Sequence, residues 1–316
     1  MSESRTHIAG TNGDTATPRA SIIIPTRNRM AQLARCLDHV SAIRSAETWE
    51  LIVVDNDSTD GTPELLLAFA QRSSIAMRVL KAPGANASRT RNAGAKAARG
   101  ELLIFIDDDC YVQPDIVDQY RKIFEDAAVG FVGGRILLYD RTDYPLTINE
   151  SEVEVRFPAR GPVPCGIVQS ANMAIRRRAF MAVGGFDVRL GPGTPFVGED
   201  WELQTRIGAE GWSGGYFPGP TVSHHHGRKR REARKRIRSY NLGSGAVYLK
   251  LLANPRTRRA YLPHVVRRIL GDLKFHQIKV VTQIYGAVLF LLQNRHNLLE
   301  SMPSTAQVPD PQSRSG

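Results

Sequence analysis

The chain has 316 residues, 42% hydrophobic and 23% charged; that is globular composition with room for a sizeable core, and it excludes a collagenous or low-complexity chain. Three widely spaced cysteines, Cys36, Cys110 and Cys165, form no CxxC pair and no disulfide framework, which points to a reducing compartment. The net charge of +11 is confined to one end: residues 1–223 carry 24 basic and 27 acidic side chains, residues 224–316 carry 18 and 4.

This asymmetry reads as a near-neutral body, residues 19–226, joined to a basic appendage over 227–300. Residues 1–18 are polar and lack an apolar h-region, so they read as a flexible leader rather than a signal peptide; 301–316 read as a flexible tail. The most apolar late stretch, residues 284–292, falls well short of the ~20 residues that span a bilayer, so no transmembrane helix is expected.

From residue 20 onward, apolar runs alternate with helical periodicity. Strands are predicted at 21–26, 50–55, 77–82, 101–107 and 129–136, and helices between them at 30–43, 62–71, 88–98 and 115–125. Continuous apolar strands between helices indicate an α/β fold, a Rossmann-like, mostly parallel sheet flanked by helices. After about residue 137 Pro and Gly become frequent and the pattern loosens, leaving a helix at 199–209 and a strand running into HHH at 224–226. Helices at 228–252 and 263–294 form the appendage.

In such sheets ligands bind beyond the carboxyl ends of the strands. Polar residues stand at three of those ends: Pro25, Thr26 and Arg27 in IIIPTRNR, Asp55 in VVDNDSTDGT, and Asp107, Asp108 and Asp109 in LLIFIDDDC. Strand alternation groups Asp107 with Asp109 and turns Asp108 away. Two hard oxygen donors at that spacing suit Mg²⁺ or Mn²⁺ with phosphate oxygens, and a cation relieves their mutual repulsion. An Asp-rich turn or helix cap is the plainer use of such residues. Asp55 fits either a base-reading carboxylate or an Asx turn. ASRTRNAG sets Arg91 in a small-residue helix near its start, where anions bind, or where an arginine is merely solvated. GxGxxG and GxxxxGK[ST] are absent.

SIIIPTRNR, VVDNDSTDGT, SRTRNAG and FIDDDC, in this order and spacing, resemble glycosyltransferase family 2, over roughly residues 20–226. The resemblance implies a GT-A fold and inverting transfer of a sugar from a nucleotide donor. It implies that Pro25, Thr26 and Arg27 line the nucleotide site, that Asp55 reads the base (commonly uracil), that Arg91 approaches nucleotide or diphosphate, and that Asp107 and Asp109 form the metal-binding DxD, with Asp107 nearer the ribose and Asp108 beside the donor. It directs attention to GEDWEL, where Asp200 would be the base that deprotonates the acceptor hydroxyl and Glu199 a neighbour that raises its pKa or holds the acceptor; an acidic first helical turn is the plainer reading. Trp201 would be a sugar platform unless it is core, and Asn172 would follow a strand and face the acceptor. One histidine of HHH would be a further metal ligand; alternation groups His224 with His226, and His224 is chosen. Imidazole beside carboxylates favours Mn²⁺ over Mg²⁺.

The run HGRKRREARKRIR packs eight Lys and Arg between 228 and 238. With the amphipathic segment after it, this fits peripheral association with an anionic membrane, on the cytoplasmic face of an inner membrane, where lipid-linked glycan acceptors reside. The plainer reading is a helix packing on the catalytic body or on a second copy in a homodimer. A sugar-phosphate nucleotidyltransferase would open with a Gly-rich loop after the first strand, which is missing. A nucleic-acid-binding protein is disfavoured because the charge is confined to 224–316 and no binding motif is present, so no nucleic acid partner is expected.

Overall fold

The structure, a computed structural model, describes residues 8–9, 17–274 and 279–300. Most of the expected leader, and all of the expected tail at 301–316, lie outside the described residues. The elements in chain order are β1 (Ile8–Ala9), β2 (Ala20–Thr26), α1 (Met30–Ser41), β3 (Trp49–Asp55), α2 (Thr62–Arg72), β4 (Met77–Lys81), α3 (Ala87–Ala97), β5 (Leu102–Ile106), β6 (Cys110–Val112) and α4 (Ile116–Ile123). There follow β7 (Val129–Leu138), β8 (Val155–Phe157), β9 (Asn172–Arg176), α5 (Arg177–Ala182), α6 (Glu199–Ala209), β10 (Ser213–His224), α7 (Arg230–Ala253), α8 (Pro255–Lys274) and α9 (Lys279–Glu300).

One mixed sheet runs β1-β4-β3-β2-β5-β9-β7-β10-β6, with β8 paired to β10. The block β4-β3-β2-β5 is parallel, as the alternation of strands and helices predicts, and so is β7 with β10. β9 runs antiparallel to both β5 and β7, and joins the two halves. The strands are apolar on both sides because both faces are covered. Ile22, Ile24, Leu51, Val53 and Ile104 enter one core with α1, α2 and α4. Ile23, Ile52, Val54, Leu103 and Phe105 enter the other, with Trp201 and Ile207 of α6.

The second core continues into the C-terminal helices: Ala246, Val247, Tyr261, Val265 and Phe290 belong to it. Glycines permit this contact. A Cβ on Gly243 would lie 1.8 Å from the Val197 carbonyl oxygen, one on Gly245 1.8 Å from the Gln283 carbonyl, and one on Gly286 2.3 Å from the Leu242 carbonyl. α7 therefore seats directly on the segment before α6 and on α9. The helix expected at 263–294 differs from the structure: α8 already begins at Pro255 and carries Pro263 inside it, and α9 starts anew at Lys279. No described helix is long and apolar enough to cross a membrane.

Candidate active site

The parallel register sets Thr26 opposite Asp55 and Asp55 opposite Lys81, so β2, β3 and β4 end level. The loops beyond them are tied together: the Thr59 amide donates to Asn28 Oδ1 at 2.7 Å, the Asn28 amide to Ser58 Oγ at 2.9 Å, and the Gly84 amide to Asp57 Oδ2 at 3.0 Å. Asn28 and Asp57 take positive φ, 50° and 56°, residue types that tolerate the left-handed region. Asp55 is buried and its Oδ1 accepts from the Ser58 amide, three residues on, at 3.0 Å. Asn56 beside it bonds the Gly84 carbonyl at 2.7 Å.

The three aspartates do not alternate as an extended strand would. β5 stops at Ile106, and the Cys110 amide donates to the Asp107 carbonyl at 3.0 Å, which closes a turn. The turn sends the carboxylates in three directions. Asp107 accepts from Arg91 Nη2 at 2.7 Å. Asp108 accepts from Thr26 Oγ1 at 2.8 Å and faces Arg29 Nε at 3.1 Å. Asp109 meets Arg29 Nη2 and lies 3.2 Å, through Oδ1, from His224 Nε2. Arg29 is the second arginine of the loop after β2. It turns inward to the acids, whereas Arg27 is exposed at the rim of the same cleft.

Antiparallel pairing of β10 with β6 lays His224 opposite Cys110 and selects one of the three histidines. His225 Nδ1 is bonded to the Tyr111 hydroxyl at 3.0 Å, and His226 Nδ1 accepts from the Arg228 amide at 2.9 Å. Burial pushes Asp108 up to about 7, with the charge of Asp109 adding to it against Arg29. Burial also opposes ionisation of Asp109, but its bond with His224 and the charges of His224 and Arg29 win and hold it low. His224 is correspondingly raised: burial disfavours its charge, and Asp109 more than compensates.

Asp109, Cys110 and His224 offer ligand atoms within 4.8 Å of one another, all buried. Burial holds the Cys110 thiol protonated, well above its usual range, so it is a soft and uncharged group unsuited to a hard cation. The Asp109–His224 pair fits. Donors each ~2.1 Å from an octahedral ion and at right angles to each other are about 3 Å apart, close to the 3.2 Å found here. Asp107 stands outside that cluster in the grip of Arg91, but half-exposed on the same cleft. The site therefore carries a carboxylate–imidazole set that fits Mn²⁺ or Mg²⁺.

α6 brings the second group of carboxylates. Arg91 is buried and spans the two groups, with Nη1 on Glu199 Oε1 at 3.0 Å and Nη2 on Asp107. Asp200 accepts from the Trp201 amide at 2.7 Å and the Ser170 amide at 3.2 Å. Burial, then the charge of Glu199, pushes Asp200 up to about 7 against those two bonds. Two cavities meet here. A cleft of about 350 Å³ is lined by Pro25, Thr26, Arg27, Asn56, Asp108 and Asn86 among others. A deeper one of about 430 Å³ is lined by Ser170, Glu199, Asp200, Trp201 and His224. Arg91, Asp107, Asp109, Arg228 and Arg236 line both.

Two expected acceptor residues are placed otherwise. Asn172 opens β9 rather than following a strand and is fully buried. Its Nδ2 donates to the Arg135 and Pro220 carbonyls at 2.9 and 3.0 Å, and its Oδ1 accepts from Tyr120 at 2.7 Å. Its amide is saturated within the sheet and reaches neither cavity. Trp201 is also buried. Its Nε1 donates to the Val163 carbonyl at 2.8 Å and its ring meets Tyr248 edge-on at 5.0 Å, so it is chiefly core that borders the deeper cavity. Arg228 and Arg236, which line both cavities, and Arg268, which lines the deeper one, were not singled out by motif spacing.

The chain is similar over 89% of its length to the mannosyltransferase PcManGT from Pyrobaculum calidifontis, solved with GDP-Man and Mn²⁺, at TM-score 0.63 and 20% identity over 76% of that chain. It is similar over 74% to residues 1–349 of S. aureus TarS with UDP-GlcNAc, at TM-score 0.57 and 16% identity over 66% of that chain. Both likenesses are of fold. Among curated proteins, the O-antigen biosynthesis protein RfbC of Myxococcus xanthus is 30% identical over 221 residues, 62% of this chain and 16% of that protein. Glycosyltransferase AglE of Haloferax volcanii is 28% identical over 120 residues, 38% of this chain and 40% of that one. The chain thus spans less than half the length of these curated relatives. The family described as Glycosyl transferase family 2 matches residues 21–184, just over half the chain, so the chain belongs to that family.

Proposed function

We propose that the chain transfers a sugar, with inversion, from a nucleoside diphosphate, UDP favoured, to a hydroxyl of a glycan or lipid-linked acceptor in the assembly of a bacterial polysaccharide or glycolipid. One observation carries this reading. Asp107, Asp109 and Arg91 form a common floor to two cavities, while Asp108 and Thr26 line only the first and Asp200 only the second. A donor in the first cavity and an acceptor in the second would meet over that floor.

In this mechanism the loops after β2 and β3, with Pro25, Thr26, Arg27, Asp55 and Asn56, receive the nucleotide. Asp109 and His224, with Asp107, would hold the divalent cation, which supplies charge neutralisation to the departing diphosphate. Arg91 fixes Asp107 relative to Glu199, and so fixes the donor carboxylates relative to the base. Asp200, whose ordinary acidity is suppressed, takes the proton of the acceptor hydroxyl as its oxygen bonds to the anomeric carbon and the bond to the diphosphate breaks.

The test is a panel of nucleotide sugars with the purified protein, with and without chelator. Nucleoside diphosphate should be released, only with Mn²⁺ or Mg²⁺, and Asp109→Asn should abolish it. Undiminished turnover in chelator, or release of pyrophosphate, would refute the reading.

The appendage supports a place for this reaction. Leu262, Val266 and Leu270 stand one turn apart on α8 and are exposed. Val281, Ile284, Val288 and Leu292 make a second exposed row on α9. Residues 224–316 carry 18 basic and 4 acidic side chains. Two apolar rows in a strongly basic segment suit the cytoplasmic face of an anionic membrane.

A further inference from the structure

The basic run 228–238 is not uniformly solvated. Six of its eight Lys and Arg are exposed, but Arg228 and Arg236 are half-buried and line both cavities. Arg236, Tyr240 and Ser244, four residues apart along α7, form one stripe facing the deeper cavity. Arg268 of α8, an exposed residue, lines the rim of the same cavity and does not line the donor cleft.

Among the described residues, no carboxylate lies within ion-pair distance of Arg228, Arg236 or Arg268. The carboxylates of the cavity already have partners: Arg91 for Asp107 and Glu199, Arg29 and His224 for Asp109, two backbone amides for Asp200. Arg236 Nε is buried without a hydrogen-bond partner, and the guanidinium lies 5.7 Å from the centre of the Tyr240 ring. Burying a guanidinium nitrogen unpaired is costly, and an anion in the cavity would supply the missing acceptor. The planar fork of arginine matches phosphate oxygens in pairs.

We propose that Arg236 and Arg268 form an anion subsite in the acceptor cavity, so that the acceptor carries a phosphate group near the hydroxyl that receives the sugar. The inference rests on the transferase reading and names its acceptor class; the phosphate can belong to a lipid headgroup or to a soluble phosphorylated glycan.

The first test needs no turnover. Octyl phosphate and octyl glucoside are titrated calorimetrically into the full chain, wild type, Arg268→Gln and Arg268→Lys. Octyl phosphate should bind at least tenfold more tightly than octyl glucoside, lose that advantage in Arg268→Gln, and regain part of it in Arg268→Lys. Equal binding of the two, or phosphate binding indifferent to Arg268→Gln, would overturn the subsite; the latter would place the phosphate in the donor cleft. The second test uses the donor that survives the nucleotide-sugar screen. Acceptor KM should rise at least tenfold in Arg268→Gln and Arg236→Gln for phosphorylated acceptors, whether soluble or in vesicles. Metal-dependent hydrolysis of the donor to water, read in the same samples, should keep its donor KM in Arg268→Gln. Hydrolysis with no preference for phosphorylated acceptors sinks the subsite alone. Absence of any donor turnover sinks the transferase reading and leaves the calorimetry to decide the subsite.

Discussion

Asp200 accepts from two backbone amides that favour its charged form, while burial and Glu199 oppose it and prevail, at about 7. The proposed base must be deprotonated to accept a proton, so under that proposal kcat/KM should climb with pH through about 7 and level off above it, read from a pH profile at saturating metal. Asp200→Asn should cost roughly 10²–10⁴-fold in transfer and flatten that limb. The same shift has a stability consequence. Because the folded pKa lies above the unfolded one, the group favours the folded state at acid pH, and that contribution is lost as pH rises through about 7. The melting temperature of Asp200→Asn should therefore exceed that of the wild type at pH 8, and the gain should vanish near pH 4. The acids themselves were legible in the sequence because a run of Asp after a buried strand, and an acidic pair opening a helix, are local patterns. Their directions were not. A single turn at Asp107–Cys110 cancelled the expected alternation, and the choice of Arg29 over Arg27 depends on which side chain the loop turns inward. Asn172 went astray for the same reason: its amide closes bonds to β7 and β10, contacts between strands far apart in sequence.

At the scale of elements, alternating apolar strands and helices revealed the parallel block, since each strand is buried on both sides. The antiparallel β9 and the short β6 carried no such signal, yet β6 is what seats His224 beside Asp109. Glu50 was equally silent. It is buried at the amino-terminal end of β3, and accepts from Ser21 Oγ at 2.7 Å, the Arg99 amide at 2.7 Å and Arg78 Nη2 at 2.6 Å, so that it joins β2, β3 and β4. Burial alone would raise its pKa, but the Ser21 and Arg99 bonds and Arg78 outweigh it. A lowered folded pKa contributes stability that is present above the ordinary glutamate range and lost as pH falls through the folded value. Glu50→Ala should cost about 1–3 kcal/mol in urea unfolding at pH 7, as leaving buried hydrogen-bond donors unsatisfied does, and less at acid pH. Gly243 is a second structural lever. Even Gly243→Ala puts a methyl 1.8 Å from the Val197 carbonyl oxygen, so α7 must move off the segment that leads into Glu199 and Asp200. Overpacking of this kind costs about 1–3 kcal/mol. Transfer should fall more steeply than the unfolding free energy, while donor binding at the far cleft should hold.

For the whole molecule, the division of charge between residues 1–223 and 224–316 maps onto a division of surfaces. The outward apolar rows of α8 and α9 belong to the basic portion, and the proposed membrane contact follows from both. The full chain should co-float with vesicles containing anionic lipid, and less so with neutral vesicles. High salt should release part of it, and Leu270→Glu with Val281→Glu should release it at any salt. Concentration-dependent self-association of the wild type without vesicle binding, abolished by the same pair of changes, would assign that face to a second copy instead.

The stripe of α7 that carries Arg236, Tyr240 and Ser244 makes the last third of the chain a wall of the chamber rather than a tether. Cutting the protein after the histidines would therefore remove Arg228 and Arg236 from both cavities and Arg268 from the deeper one, and leave each open to water. Because Arg236 lines both cavities, exchanging the three terminal helices would alter both, whereas a change confined to Arg268 touches the deeper one alone.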